Sequence, residues 1–205
     1  MNETLQVIFG LFGGLAIFLY GMNLMSDSLQ KVAGERMRTI LGMLTKNPVL
    51  GVLSGALVTA VLQSSSATTV MAIGFVSAGL MTLPQAISII FGANIGTTMT
   101  AQLIAFKLSD YIYLIIIVGF LLYFFGKKEK IERIKSIGAT IFGFGLLFDG
   151  IEIMGSVMKP LATSPVFANA IQQVADVPIL GLLTGLCMTL LVQSSSATIA
   201  VLQNI

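Results

Sequence analysis

Gln63-Ser64-Ser65-Ser66-Ala67-Thr68 returns unchanged as Gln193-Ser194-Ser195-Ser196-Ala197-Thr198, 130 positions later. Each copy opens with four polar side chains in a row inside apolar sequence. Leu57-Val58-Thr59-Ala60-Val61-Leu62 precedes the first and Met188-Thr189-Leu190-Leu191-Val192 the second. Four consecutive polar side chains cannot all face one helical neighbour. In hydrocarbon, hydroxyls and amides left unpaired are strongly unfavourable. Polar backbone that departs from a helix at membrane depth is tolerated only where protein buries it or a wet cavity receives it. Two copies of that exception read as the two halves of one binding site.

Composition agrees with a bilayer environment. The 205 residues are 56% hydrophobic and 10% charged, with mean hydropathy +0.96 and neither His nor Trp. A soluble domain carries about 25% charged residues, so the chain reads as an integral membrane protein. Long apolar stretches, rather than alternating segments of about ten residues, favour α-helices over a barrel. The single Cys187 excludes an intrachain disulfide and reads as a small buried packing residue. Met1-Asn2-Glu3 has no basic residues and no Ala-x-Ala cleavage site is evident, so residues 5–26 read as a retained first helix.

Leu5 to Ser26 is charge-free and rich in glycine, long enough to span the bilayer. After Asp27, Lys31, Glu35, Arg36, Arg38 and Lys46 interleave with Met37, Ile40, Leu41 and Leu44, the spacing of an amphipathic helix lying at the interface; Asn47-Pro48 stops it. Val49 to Met81 is uncharged, with the first motif near its middle. Each side is short for a crossing, which predicts a re-entrant hairpin; two tilted spans joined at Ser77-Ala78-Gly79 are the alternative. Pro84 opens a span to about Phe106 that Gly92-Ala93-Asn94-Ile95-Gly96-Thr97-Thr98 is expected to interrupt. A further span runs from Asp110 to Gly126, and the charged stretch 127–135 is an aqueous loop.

Ser136 to about Met158 then begins a second pass. Tyr20-Gly21-Met22-Asn23-Leu24-Met25 aligns with Asp149-Gly150-Ile151-Glu152-Ile153-Met154, and Pro48-Val49-Leu50-Gly51 with Pro178-Ile179-Leu180-Gly181. The offsets are 129 and 130. Residues 1–126 therefore form repeat one, 127–135 a basic loop, and 136–205 a repeat two that stops after its hairpin. Three spans between the repeat starts invert the second repeat. Stretches 31–46 and 127–135 then share a side and hold nine of the eleven Lys and Arg, which places them in the cytoplasm, in an inner membrane, with the N-terminus outside. The expected fold is all-α and integral to the membrane: an inverted-repeat transporter with about four transmembrane helices and two re-entrant hairpins.

Inverted repeats interrupted at corresponding places point to a secondary-transporter site. Hydroxyl and amide oxygens with freed carbonyls suit Na+, while hydroxyls with helix N-terminal N–H groups suit an anion. Serine and threonine gluing helices together is the alternative, weakened here by the identical second block. Asp149 and Glu152, three apart in the fourth span, are candidate accessory acids that help bind Na+ or relay a proton; wetting near the span's outer half is the plainer reading. An enzyme finds no support: there is no His, no Gly-x-Ser-x-Gly and no metal-spaced Cys/Asp cluster.

The paired Gln-Ser-Ser-Ser motifs, with Gly-Ala-Asn-Ile-Gly-Thr-Thr downstream of the first, resemble the type II sodium-phosphate cotransporters and their bacterial relatives over nearly the whole chain. The resemblance implies Na+-driven symport of inorganic phosphate, with no organic cofactor and no nucleic-acid partner. It implies that Ser64, Ser65, Ser194 and Ser195, with Asn94, Thr97 and Thr98, take the phosphate. Na+ is expected at Gln63, Ser66, Thr68, Gln193, Ser196 and Thr198, with the choice of oxygen for each ion left open. A second Gly-Ala-Asn-Ile-Gly-Thr-Thr does not occur within the 205 residues. The alternative is a truncated or regulatory membrane subunit that binds the ions without transport, or a site completed as a homodimer.

Overall fold

The computed structural model describes residues 3–43, 47–105, 111–126, 132–162, 177–192 and 194–203. Its described secondary structure is helical: α1 (Glu3–Met43), α2 (Pro48–Leu62), α3 (Ser65–Ser77), α4 (Leu83–Ala105), α5 (Ile112–Phe125), α6 (Glu132–Ala162), α7 (Pro178–Val192) and α8 (Ser195–Gln203). Three stretches, Leu5–Gly42, Leu83–Ala105 and Arg133–Met158, are long and apolar enough to cross a membrane. Large apolar side chains such as Phe9, Phe12, Phe91 and Phe125 face outward, as a lipid solvent allows. The chain is an all-helical membrane protein.

Among the described residues three helices are long enough to cross, where the sequence suggested about four. The stretch expected to span from 110 to 126 is α5, whose 14 residues cover about 21 Å, less than the roughly 30 Å of bilayer hydrocarbon. Residues 106–110 lie outside the described residues. Arg133 and Lys135, expected in an aqueous loop, belong to the first turn of α6.

The separate interfacial helix is also corrected. α1 runs unbroken through Asp27 as one helix of 41 residues, about 60 Å long. Its apolar stripe Met37, Ile40 and Leu41 does not face lipid; it packs with Val58, Leu62, Ala72 and Ile89 of α2, α3 and α4. Leu41 is fully buried there. Amphipathic spacing identifies a buried face but leaves open whether lipid or protein covers it.

The N-terminal half of α1 pairs with α6. A methyl group at Gly14 would lie 2.8 Å from the Gly150 carbonyl oxygen, and one at Gly21 would lie 2.6 Å from that of Gly143. As α1 advances from Gly14 to Gly21 its partner steps back from Gly150 to Gly143, so the helices are antiparallel. Gly14 and Gly143 are related by the offset of 129, as are Gly21 and Gly150. The two contacts therefore exchange places under the sequence repeat, as in an isologous interface. Glycine allows this approach, which brings backbone onto backbone where hydrocarbon offers no hydrophobic drive for association.

α2 begins at Asn47, whose side chain accepts from Val49 N at 2.8 Å, with Pro48 in the first turn. α2 then packs on α4. Gly51 meets Ser88, Gly92 meets Val52 and Ala56, and Gly96 meets Ala56 and Thr59. Both helices advance together, so they are parallel. The chain leaving α2 at Leu62 must return to its starting end before α4 begins, and α3 makes that return. α3 stops at a Schellman turn, with Gly79 at φ +70 and Leu80 N bonded to Phe75 O at 2.9 Å. Thr82 then caps α4, its N–H donating to Gln85 Oε1 at 2.8 Å.

No interruption appears in α4. Gly92-Ala93-Asn94-Ile95-Gly96-Thr97-Thr98 is continuous helix. Its glycines mark close contact with α2 rather than a break. α7 has no buried residue, and Cys187 on it is exposed rather than packed.

Gly21→Ala is expected to lower Tm in detergent, because overpacking of about 1–3 kcal/mol exceeds the roughly 1 kcal/mol helical advantage of alanine over glycine. Gly13, with nothing nearby, is the control: Gly13→Ala should hold or raise Tm. Equal behaviour of the two variants in a thermal-shift assay would contradict the crossing.

Candidate functional site

The first motif turns the chain within two residues. Gln63 ends α2 in the left-handed region at φ 55, ψ 29, and Ser64 starts α3 from extended backbone at φ −147. A left-handed non-glycine residue costs roughly 1–2 kcal/mol, so something must hold Gln63. Its amide does: Nε2 donates to Ala60 O at 2.6 Å, and Oε1 accepts from Thr100 Oγ1 at 2.9 Å. Ser26 of α1 donates to the Leu62 carbonyl at 3.1 Å, and Gln30 Nε2 donates to the Ser26 oxygen at 3.2 Å. The carbonyls at the end of α2 are thereby met by the Gln63 amide and by Ser26 of α1, while Thr100 of α4 holds the Gln63 oxygen.

The start of α3 is closed differently. Ser64 Oγ accepts from Ala67 N at 3.2 Å, and Ser64 O accepts from Thr68 N at 3.2 Å. Thr59 Oγ1 donates across the hairpin to Thr68 Oγ1 at 2.9 Å, and Thr68 Oγ1 donates to Ser64 O at 3.2 Å. The second motif repeats the set. Ala197 N donates to Ser194 Oγ at 3.2 Å, Thr198 N to Ser194 O at 3.1 Å, Thr189 Oγ1 to Thr198 Oγ1 at 3.2 Å, and Thr198 Oγ1 to Ser194 O at 3.0 Å. Four interactions thus recur with the 130-residue offset.

These bonds sort the expected site residues. Ser64 and Ser194 are caps, with their hydroxyl oxygens bonded to backbone N–H. Thr68 and Thr198 are 0% and 4% exposed and hold the turns together. The hydroxyls of Ser65, Ser66, Ser195 and Ser196 make no hydrogen bond to another described residue. Ser65, Ser66 and Ser195 are at least partly exposed, and Ser196 is buried. The first-turn N–H groups of Ser65, Ser66, Ser195 and Ser196 also have no carbonyl within their helix to bond. Each turn therefore presents hydroxyls and amides at a positive helix end.

Asn94 and Thr98 are exposed on α4, while Thr97 is half-buried. Thr97 donates to Ala93 O at 3.1 Å and Thr98 to Ile95 O at 2.7 Å, so their hydroxyl protons are committed to their own helix. Gln193 lies outside the described residues. Asp149 is half-buried and Glu152 exposed. Among the described residues no hydrogen bond joins one motif to the other; both rest against α1, the first through Ser26 and the second through Ala197 and Ala200 packed near Phe18 and Met25. No group of three or more His, Cys, Asp or Glu converges among the described residues.

Sequence reasoning missed Thr100 and Ser26. Thr100 was findable: Ser88, Gly92, Gly96 and Thr100 repeat every four residues on the buried face of α4. Ser26 carried no such signal, since its partner is 36 positions away.

Two polar helix breaks carried on apolar helices mark an all-helical membrane protein. Residues 17–156 match the sequence model of the Na+/Pi-cotransporter family, and the chain belongs to that family. It is 32% identical over 190 residues to the uncharacterized protein YqeW of Bacillus subtilis (strain 168), covering 93% of this chain and 61% of that protein. It is 31% identical over 162 residues to a protein of Escherichia coli (strain K12) named "Putative inorganic phosphate export protein YjbB", covering 79% of this chain and 28% of that one. It is 38% identical over 97 residues to human sodium-dependent phosphate transport protein 2B, covering 46% of this chain and 14% of that protein. No solved structure matches. The chain thus spans 61% or less of the length of these relatives.

Thr59→Val or Ser64→Ala should loosen the first turn by about 1 kcal/mol, roughly fivefold faster amide exchange at Ala67 and Thr68. Hydrogen–deuterium exchange should show no change at the second turn. Unchanged protection at Ala67 and Thr68 in both variants would contradict the assigned bonds.

Proposed function

We propose that this chain carries the ion site of a Na+-coupled phosphate symporter, shared between the two Gln-Ser-Ser-Ser turns. The observation that carries the reading is the hydrogen-bond set repeated at both turns, which spends the capping serine and the threonines and leaves the intervening serine hydroxyls without a bond to another described residue. Ser65 and Ser195, with the first-turn amides, supply donors for a phosphate. Gln63, Gln193, Ser66 and Ser196 supply oxygens for Na+, a hard cation. Thr68 and Thr198 hold the turns, and Ser64 and Ser194 cap the helices beneath the phosphate. Thr97 and Thr98 keep only lone pairs to offer, which suits a cation.

Inverted symmetry is supported by the exchanged glycine contacts of α1 and α6. The re-entrant reading of the hairpins is supported by length: α2 and α3 have 15 and 13 residues, about 22 and 20 Å against roughly 30 Å of hydrocarbon. Charge distribution favours a cytoplasmic basic face in an inner membrane, with the N-terminus outside. Alternating access would move the hairpins against α1 and α6. Asp149 would assist Na+, so Asp149→Asn should raise the half-saturating Na+ concentration. The family name and the human relative's name favour Na+-dependent phosphate movement, whereas the Escherichia coli relative is named for export; the direction here is read as uptake.

A second reading has one observation behind it. On α2, Gly51, Ser54 and Gly55 are buried against α4, while their counterparts Gly181, Thr184 and Gly185 on α7 stand open. A site completed only when a further helix covers α7, in a homodimer or a larger assembly, would bind phosphate without moving it alone.

Reconstitution into proteoliposomes separates these. With radiolabelled phosphate and an inward Na+ gradient, wild type should accumulate phosphate, K+ should not replace Na+, and Ser65→Ala with Ser195→Ala should lower uptake by roughly tenfold or more, as loss of charge-assisted hydrogen bonds requires. Uptake indifferent to Na+, or undiminished in the double variant, would sink the proposal.

A further inference from the structure

A cavity of about 900 Å³ opens where α1, the end of α5 and the start of α6 converge, and none of the Gln-Ser-Ser-Ser residues lines it. Four basic side chains do: Lys31 and Arg36 from α1, Arg133 and Lys135 from α6, against one carboxylate, Glu35. The antiparallel register set by the glycine crossing makes this cluster. It carries Lys31 opposite Arg133, and Ser28 opposite Ser136, at the polar end of both helices.

Such a collection of like charges repels itself unless an anion joins it. Among the described residues no carboxylate forms an ion pair with any of the four. Lys135 Nζ instead sits 5.6 Å from the centroid of the Tyr123 ring, which lines the same cavity. Ser28 is only 4% exposed, lines the cavity, and its hydroxyl makes no hydrogen bond to another described residue. The cavity thus offers guanidinium forks, ammonium groups and an idle hydroxyl, the donor set that phosphate oxygens take. Its four basic residues fall outside the stretches 5–26 and 136–158, on the side where lipid headgroups would meet them.

We infer that this cavity is a second anion site, which binds a phosphate group through Lys31, Arg36, Arg133 and Lys135 with Ser28 as a further donor. Basic pockets between helices at the cytoplasmic face are where anionic headgroups seat. The same chemistry takes the phosphodiester of an anionic lipid or free inorganic phosphate. The inference does not depend on the transport reading.

Native mass spectrometry of the purified protein with phosphatidylglycerol or phosphatidylcholine, and equilibrium dialysis with inorganic phosphate, distinguish the two sources. Lys31→Gln with Arg133→Gln is compared with wild type, and Arg36→Gln with Lys135→Gln serves as an independent pair. Arg38→Gln, exposed on α1 and not part of the lining, controls for general charge. For a lipid site, phosphatidylglycerol is retained over phosphatidylcholine and both pairs reduce that retention by roughly tenfold, while Arg38→Gln does not. For free phosphate, dialysis detects binding that survives Ser65→Ala with Ser195→Ala and is lost in both pairs. Retention and phosphate binding unchanged in both pairs, or lowered equally by Arg38→Gln, would overturn the site.

Discussion

A helix that stops inside apolar surroundings must find partners for the carbonyls and amides it releases, and everything around Gln63 follows from that requirement. The turn is held from three directions. Ser26 of α1 takes the Leu62 carbonyl, Thr100 of α4 takes the Gln63 amide oxygen, and Thr59 reaches Thr68 across the hairpin. These ties offset the left-handed backbone of Gln63 and fix the first turn of α3. Once the break is satisfied from behind, the serine hydroxyls and amides at its front are free to meet a ligand. Preorganisation of this kind spares a bound ion the cost of ordering its own ligands.

The same economy shapes the larger frame. Hydrocarbon does not drive helices together, so close backbone approach must do it, and glycine at the contact permits that approach. α1 and α6 cross on Gly14, Gly21, Gly143 and Gly150, and α2 and α4 run together on Gly51, Gly55, Gly92 and Gly96. The first crossing sets which basic residues face each other at the polar end; the second sets how far along α4 the hairpin tip reaches, which is Thr100. Packing of glycines therefore positions both candidate anion sites, although no glycine contributes a functional side chain to either.

Much of this was legible in the sequence. The duplicated six-residue block located both turns, while Asn47-Pro48 was read only as the stop of the helix before it and Ser77-Ala78-Gly79 only as the joint between two alternative spans. Family membership was legible from the same motifs. The failures have one cause. Glycine in an apolar helix signals either a break or a close contact, and only the neighbour decides which, so 92–98 was read as interrupted where α2 lies against it. Asp27 ended an apolar run without ending a helix, because neither proline nor a terminating cap follows it in α1. The stripe at Met37, Ile40 and Leu41 was expected to lie at the membrane interface, but α2, α3 and α4 cover it. Cys187 was expected inside because its sequence is apolar, yet α7 packs little beyond α8.

Central to this account is that the two turns form one phosphate site whose occupancy requires Na+. Calorimetric titration of phosphate into the purified protein, in NaCl and again in KCl, tests it without depending on translocation. The account predicts saturable binding in Na+, none in K+, and none in Na+ for Ser65→Ala with Ser195→Ala. Binding of equal strength in the two salts, or binding that survives the double substitution, would contradict it.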